Sequence, residues 1–157
     1  MGNVCCGGGN SEMLARQELL KEGNDFKKKS AFLGVLSRTE NVHLQLNSAG
    51  ARLMWRQTPG PSSSEELPVY RIGKVCPMGR LDLVLLGQSG QKLLELTAET
   101  TTVRDLWVQT LEELCLADQA ERYRTDELEK RRREAEERKK KIGVIGMKYT
   151  AQAMANR

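Results

Sequence analysis

Residues 92–107, with the sequence KLLELTAETTTVRDLW, decide the fold of this chain. Apolar and polar residues alternate from Lys92 to Thr97, which is the period-two pattern of a half-buried β-strand. Thr101 or Thr102 can then cap a helix with Asp105 in its first turn. Large apolar residues follow at helical spacing on one stripe, at Val103, Leu106, Trp107, Leu111 and Leu114. We therefore expect a strand that leads into an amphipathic helix covering an open end of a β-structure.

Several short strands separated by turns are expected upstream of this segment. Residues 26–32 can form a first strand, and residues 42–56 have the pattern of a hairpin. Further strands are expected at 67–75 and 81–86, after a Pro-, Gly- and Ser-rich loop over residues 58–66. Six or seven strands at this spacing predict a mainly β fold, a small antiparallel barrel or sandwich.

Helical segments are expected on both sides of the strands. Gly23 stands where a C′ glycine would end a short amino-terminal helix. Beyond residue 116 the apolar stripe disappears, and Glu residues precede Arg or Lys by four positions, which favours a charged helix. Gly143 and Gly146 are expected to interrupt that helix. The predicted segments are a tether (1–10), a short helix (11–23), a folded domain (24–116), a charged helical extension (117–142) and a tail (143–157).

The order of these elements resembles the pleckstrin homology (PH) superfamily, with the phospholipase C type as its nearest form. The resemblance spans roughly residues 19–116, and four stretches carry it. They are residues 19–23 before a Phe-Lys-Lys-Lys strand, residues 42–55 ending in Leu-Met-Trp, residues 67–75, and residues 92–98 followed by Trp107. Trp107 in the closing helix is the most specific element. The resemblance implies an antiparallel barrel of about seven strands, capped by one carboxy-terminal helix.

In this family, basic side chains on the first two strands and their loop neutralise inositol phosphates. The matching residues here are Lys27, Lys28 and Lys29 on the first strand, Arg38 entering the second strand, and Arg56 after the hairpin tryptophan. Strand alternation puts Lys27 and Lys29 on one face and Lys28 on the other, so at most two of them can converge on one phosphate cluster. Glu40 lies where strong binders carry another cation. The resemblance therefore implies weak attraction to anionic lipid, and a solvated, charged sheet edge is the alternative.

The amino terminus has the pattern of a lipid anchor. Removal of Met1 exposes Gly2 as an acceptor for N-myristoylation, and Cys5 or Cys6 can take a palmitoyl thioester. One myristoyl chain binds a bilayer with a constant of only ~10⁴ M⁻¹, so stable residence needs the second chain. Cys6 stands where the usual pattern has Ser or Thr. An unmodified terminus or a metal site are the alternatives, but no second ligand pair supports a metal.

Composition and motifs argue against several function classes. The chain has 157 residues, a formal net charge of +4 and one histidine, His43, which has no sequence neighbour suited to nucleophilic catalysis. No catalytic residue, cofactor or metal is predicted, and Cys76 and Cys115 are interpreted as small core residues. No aromatic residues are interleaved with the basic segment 130–141 to stack on bases, which argues against nucleic acid. No apolar run is long enough to span a bilayer, and no secretory signal is recognised.

The sequence thus predicts a non-enzymatic adaptor on the cytoplasmic face of a membrane, the plasma or flagellar membrane. The anchor sets its location, and the PH-like domain contacts anionic lipid weakly or a protein. Residues 117–157 act as a spacer or reach a protein partner, with a cytoskeletal one among the candidates. The basic segment 130–141 can be a solvated, self-paired helix, a lipid-facing patch or a docking arm for an acidic partner. A sustained coiled-coil seam is absent, so a monomer is expected. A phosphoinositide sensor and an unmodified cytoskeletal scaffold are the alternatives.

Overall fold

The computed structural model describes residues 8–32, 36–60 and 63–155. Its strands are β1 (Asn24–Phe32), β2 (Leu36–Leu46), β3 (Arg52–Gln57), β4 (Ser64–Pro68), β5 (Ile72–Met78), β6 (Asp82–Gly87) and β7 (Lys92–Ala98). Helix α1 (Gly8–Glu22) precedes them, a 3-10 turn (Val69–Arg71) joins β4 to β5, and helix α2 (Thr101–Ala155) follows β7. The predicted mainly β fold with a helix at each end is confirmed.

The seven strands form one curled antiparallel sheet in the order β4-β3-β2-β1-β7-β6-β5. The first strand therefore lies at the centre, paired with β2 on one side and with the last strand on the other. Phe26 on β1, for example, is opposite Val42 on β2 and Ala98 on β7. Side chains alternate between two faces along each strand. We call the face that packs into the core the inner face and the opposite one the outer face.

The beginning of α2 packs on the inner face, as the apolar stripe predicts. Trp107 and Leu111 are fully buried. The indole ring of Trp107 meets Phe26 edge-on, with 5.4 Å between ring centroids. Its Nε1–H donates a hydrogen bond of 2.8 Å to Oδ1 of Asn24, so the polar atom of this buried ring is satisfied.

Helix α1 is fixed to the same unit by one apolar and one ionic contact. Leu20 is fully buried in the core, and Nη2 of Arg16 lies 2.7 and 2.6 Å from the two carboxylate oxygens of Glu113 on α2. The helix ends at Gly23, whose φ of +85° is left-handed, and a Cβ there would lie 2.6 Å from the carbonyl oxygen of Leu44. Gly23 therefore has the predicted C′ role.

Two boundaries differ from the sequence prediction. Helix α1 begins at Gly8, so residues 8–10, predicted in the tether, are helical. The single strand predicted over 67–75 is two strands separated by the 3-10 turn, and the end of the predicted loop 58–66 is β4. Pro68 lies at the end of this edge strand, where a missing backbone donor is tolerated. Val69 is buried although it lies in the turn, and this burial continues the apolar pattern across the break.

The chain divides into two compact units, with the boundary between Asp118 and Gln119. Within the second unit α2 is unbroken to Ala155, so the prediction that Gly143 and Gly146 interrupt it was wrong. A glycine costs a helix only about 1 kcal/mol relative to alanine, which weakens the helix without ending it. Among the described residues, neither helix contains a stretch long and apolar enough to cross a membrane.

Replacing Gly143 and Gly146 together with Ala should stabilise the carboxy-terminal part of α2 by ~1 kcal/mol per site. A Cβ at either position meets nothing within 4 Å, so no clash offsets the gain. Amide hydrogen exchange at residues 142–155 should slow accordingly. Ala151→Gly is the matched control and should accelerate exchange in the same segment. Equal exchange in all three proteins would contradict the continuous helix.

Candidate functional site

The sheet separates the five basic residues that the sequence predicts as a lipid site. Lys28 on β1 is opposite Glu40 on β2, and Arg38 is opposite Ser30, so Lys28 and Arg38 share the inner face beyond the core. Lys27, Lys29 and Arg56 have the other parity and lie on the outer face. The predicted division of the three lysines between two faces is therefore observed. The structure does not bring all five cations together.

Lys28 is held in a three-residue contact on the inner face, which we call the Lys28 cluster (Lys28, Trp55 and Glu65). Its Nζ lies 5.4 Å from the ring centroid of Trp55 and 3.3 Å from Oε2 of Glu65. The same Glu65 oxygen accepts a hydrogen bond of 3.2 Å from Nε1 of Trp55. A cation over an indole face and beside a carboxylate is doubly stabilised. The lysine thus has a carboxylate partner within the protein itself.

Arg38 also faces a carboxylate. Its Nε lies 3.4 Å from Glu40 on the same strand, two residues away and therefore on the same face. The Arg38 side chain is 61% exposed, so this pair contributes little to stability. Glu40 both neutralises Arg38 and lies opposite Lys28. The inner-face pair of cations is consequently matched by two carboxylates, those of Glu40 and Glu65.

On the outer face Lys29 is the centre of a charged cluster across β1, β6 and β7. Its Nζ lies 3.3 Å from Asp82 and 3.5 Å from Glu95. Asp82 also accepts a hydrogen bond of 2.5 Å from the hydroxyl of Thr97. Lys27, by contrast, is exposed and has no ion-pair partner within residues 8–32, 36–60 and 63–155.

Hydrogen bonding and charge shift the pKa values of this outer-face cluster in opposite directions. A hydrogen bond from the Thr97 hydroxyl holds the pKa of Asp82 below its ordinary value, and Lys29 lowers it further. A hydrogen bond from Lys92 does the same for the pKa of Glu95. The bond to Asp82 raises the pKa of Lys29. All three groups therefore remain charged at neutral pH, and the cluster favours the ionised forms.

Asp82→Asn should reduce the loss of stability in acid. Because the pKa of Asp82 is lowered in the folded state, its stabilising contribution is present above the unfolded pKa and disappears as the pH falls through the folded pKa. The wild-type urea midpoint should therefore drop more between neutral pH and about pH 3 than the midpoint of the variant. Glu66→Gln, in the exposed pair with Arg52, is the matched control. An unchanged acid response in Asp82→Asn would contradict this role of the cluster.

The remaining chemically reactive side chains that the structure describes are one histidine and two free cysteines. His43 Nδ1 lies 2.8 Å from Asp25 on the outer face, and His43 is opposite Arg56. Cys115 is buried, and desolvation is the main reason that its pKa is raised to about 11. The nearby carboxylates of Asp118 and Glu112 raise the pKa to a smaller extent. Cys115 remains a thiol at neutral pH, in agreement with its prediction as a core residue, whereas Cys76 is half-buried.

Sequence reasoning missed the acidic half of this surface. Glu65 was assigned to a loop, and Asp82 and Glu95 come from strands far from β1 in sequence. The register of β4 against β3, of β7 against β1 and of β6 against β7 brings these carboxylates to the lysines. The Glu65-Glu66 pair at the end of the predicted loop 58–66 was the one local signal. Gly2, Cys5 and Cys6 lie outside the described residues.

This curled sheet, closed by a helix with a buried tryptophan, is the PH fold. No protein-family model matches the sequence, and no curated protein matches it. Solved structures do match the fold. One is inner membrane complex sub-compartment protein 3 from Toxoplasma gondii, with a TM-score of 0.54 and 10% identity. That match covers 69% of this chain and 86% of the Toxoplasma chain. The amino-terminal PH domain of human ARAP2 matches with a TM-score of 0.51, 12% identity and coverage of 61% and 79%.

Phospholipase C is also among the structural neighbours. PLC21 of L. pealei matches with a TM-score of 0.52 and 14% identity. The match covers 61% of this chain but only 15% of the PLC21 chain. At this level of identity the similarity concerns the fold alone. The chain is therefore a PH-like protein by architecture, and its own residues must carry the functional argument.

Proposed function

We propose that this chain is a membrane-anchored, non-enzymatic adaptor, N-myristoylated at Gly2 and palmitoylated at Cys5 or Cys6. Its PH-like domain binds a protein partner and contacts anionic lipid weakly. The observation that carries this proposal is the internal pairing of Lys28, Lys29 and Arg38 with carboxylates. A site built for a multiply charged phosphate head group would leave such cations available to the ligand.

The position of α1 supports an anchor that acts on the folded domain. Leu20 and the Arg16–Glu113 ion pair fix α1 to the unit that contains the sheet. Helix α1 begins at Gly8, six residues after Gly2. Six residues span at most about 20 Å of extended chain. An acylated Gly2 would therefore hold the PH-like domain close to the lipid surface.

The location and partner follow from the anchor and the charged helix. We assign the protein to the cytoplasmic face of the plasma or flagellar membrane, with a protein partner, a cytoskeletal one among the candidates, reached through residues 117–157. The name of the Toxoplasma neighbour places that protein at an inner membrane complex, which supports a membrane scaffold as the type of function.

The intact mass of the protein purified from its own cells tests the anchor. Two added acyl masses, one resistant to hydroxylamine and one removed by it, are expected. Hydroxylamine cleaves a thioester and leaves the amide-linked myristate. A protein with a free amino terminus at Gly2 and unmodified Cys5 and Cys6 thiols would overturn the proposal.

A phosphoinositide sensor is the second candidate, because Lys28 and Arg38 do share the inner face. Glu65→Gln removes the internal anion beside Lys28 and should raise binding to phosphatidylserine vesicles by about fivefold, the equivalent of ~1 kcal/mol for one cation near a charged leaflet. For a weak electrostatic contact the gain is independent of the phosphoinositide isomer and is lost in high salt. Isomer-dependent binding that Lys28→Gln abolishes would instead establish the sensor. Glu66→Gln, which changes the charge equally, is the control.

A further inference from the structure

The ion pairs of α2 stop before its last basic residues. Arg131 pairs with Glu127 at 3.3 Å, and Arg133 pairs with Glu129 at 2.5 Å. The corresponding pairs predicted for Arg138, Lys140 and Lys141 are not formed within the described residues, although a glutamate stands four positions before each. From residue 138 to residue 155 the chain has five cations and no carboxylate. This segment, residues 138–155, is the cationic end of α2.

The cationic end also carries most of the large apolar side chains that α2 exposes. The most exposed are Ile142 (69%), Val144 (67%), Met147 (77%), Tyr149 (71%) and Met154 (74%). At ~100° per residue, Lys141, Lys148 and Gln152 fall within a strip of about 40°, and the large apolar side chains spread over more than half of the circumference. Arg138, Lys139 and Lys140 point to other sides of the helix, in the turn that precedes this apolar stretch. A basic turn followed by an exposed apolar stretch with one lysine strip can lie in a bilayer interface, because long basic side chains reach back to the head groups.

We propose that residues 138–155 bind the surface of an anionic bilayer, with the apolar sector at the acyl-chain boundary and the lysines at the head groups. Charge complementarity selects this occupant, because the unpaired cations need anions and the apolar sector needs a hydrocarbon phase. A second copy of the chain fits less well. A helix pair needs a narrow seam, which would leave Val144, Met147 and Met154 in water, and a parallel pair would bring the four cations 138–141 of each copy together.

This contact does not depend on acylation, so its test and the test of the anchor can fail separately. The full-length Gly2→Ala protein, which cannot be myristoylated, is mixed with vesicles of phosphatidylcholine alone or with phosphatidylserine added. Tyr149→Trp reports on the cationic end, and Tyr123→Trp, an equally exposed position earlier on the same helix, is the control. The native Trp107 and Trp55 are buried, so quenching by brominated lipid reports on the introduced ring.

We expect brominated phosphatidylserine vesicles to quench Tyr149→Trp and to leave Tyr123→Trp unaffected. Ile142→Ser with Ile145→Ser should weaken vesicle binding by about tenfold. Changing Lys139, Lys140 and Lys141 to Gln should do the same, whereas the charge-matched change of Arg131, Arg132 and Arg133 to Gln should have a smaller effect.

Three results would overturn the proposal. Binding that depends on charge and is unaffected by the Ile142 and Ile145 changes would indicate a docking arm for acidic protein. Quenching at Tyr123→Trp equal to that at Tyr149→Trp would mean that the cationic end has no special role. Concentration-dependent self-association that Ile142→Ser abolishes, without lipid binding, would identify a second copy as the occupant.

Discussion

Gly2→Ala should move this protein from the membrane fraction of its own cells to the soluble fraction. The variant lacks the glycine amine that accepts myristate, and the first acyl chain is the one that brings the cysteines to the membrane. Loss of one chain removes a binding constant of ~10⁴ M⁻¹, and loss of both removes the attachment that their combination provides. Fractionation at physiological salt, followed by quantification of both fractions, measures the change.

Two matched variants separate the contributions to this attachment. Asn3→Ala changes the neighbouring residue, keeps every acceptor, and should leave the protein in the membrane fraction. Cys5→Ser with Cys6→Ser should leave partial, reversible attachment through one chain. If the cationic end of α2 binds lipid as proposed, the small fraction of Gly2→Ala that remains on membranes should be released by high salt. Unchanged distribution of Gly2→Ala would eliminate the anchor.

The parts of the fold that local patterns encode were predictable from sequence. Apolar alternation defines β7, and helical spacing places Trp107 on the buried stripe of α2, because each pattern has the period of its own element. The division of Lys27, Lys28 and Lys29 between two faces follows from the same period of two. The C′ role of Gly23 was also predictable, since few other residues tolerate a φ of +85°.

The partners of the lysines were not predictable, because sheet register joins residues that are distant in sequence. Glu65 lies 37 residues from Lys28, and Asp82 lies 53 residues from Lys29. Strand β4 was hidden because it is short, ends in proline and follows a loop-like sequence. The interruption expected at Gly143 was wrong because a single glycine adds a small cost to a helix and does not determine where it ends.

The resemblance and the structure give different weight to the same basic residues. The family pattern alone makes Lys27–Lys29, Arg38 and Arg56 one candidate site, but the sheet places them on two faces and supplies carboxylates for three of them. To bind an external anion, Lys28 must therefore release Glu65, and Arg38 must release Glu40. Such an exchange gains little, because an external anion only replaces a carboxylate that already pairs with the cation. This small gain supports the proposal that the domain binds a protein partner and contacts anionic lipid only weakly.

Trp107→Ala should destabilise the PH-like unit by ~3–5 kcal/mol, the range for deleting a large buried aromatic side chain. Trp107 is fully buried, meets Phe26 edge-on and satisfies its indole nitrogen through Asn24. Because a domain has only about 5–15 kcal/mol of stability, this loss is a large share of the total and should lower the urea midpoint clearly. Urea unfolding should be followed through Trp55 fluorescence, since far-UV circular dichroism also reports on residues 119–155.

A cycle between Trp107 and Asn24 separates ring packing from the hydrogen bond. Trp107→Phe keeps an aromatic ring near Phe26 and removes the donor, so it should cost less than Trp107→Ala. Asn24→Ala leaves the buried Nε1–H without its acceptor and should cost about 1–3 kcal/mol. In the Trp107→Phe background the Asn24→Ala change should cost much less, because no donor remains to be left unpaired. Additive losses in the cycle would contradict the hydrogen bond between Trp107 and Asn24. A cost below 1 kcal/mol for Trp107→Ala would show that the start of α2 does not close the core through this residue.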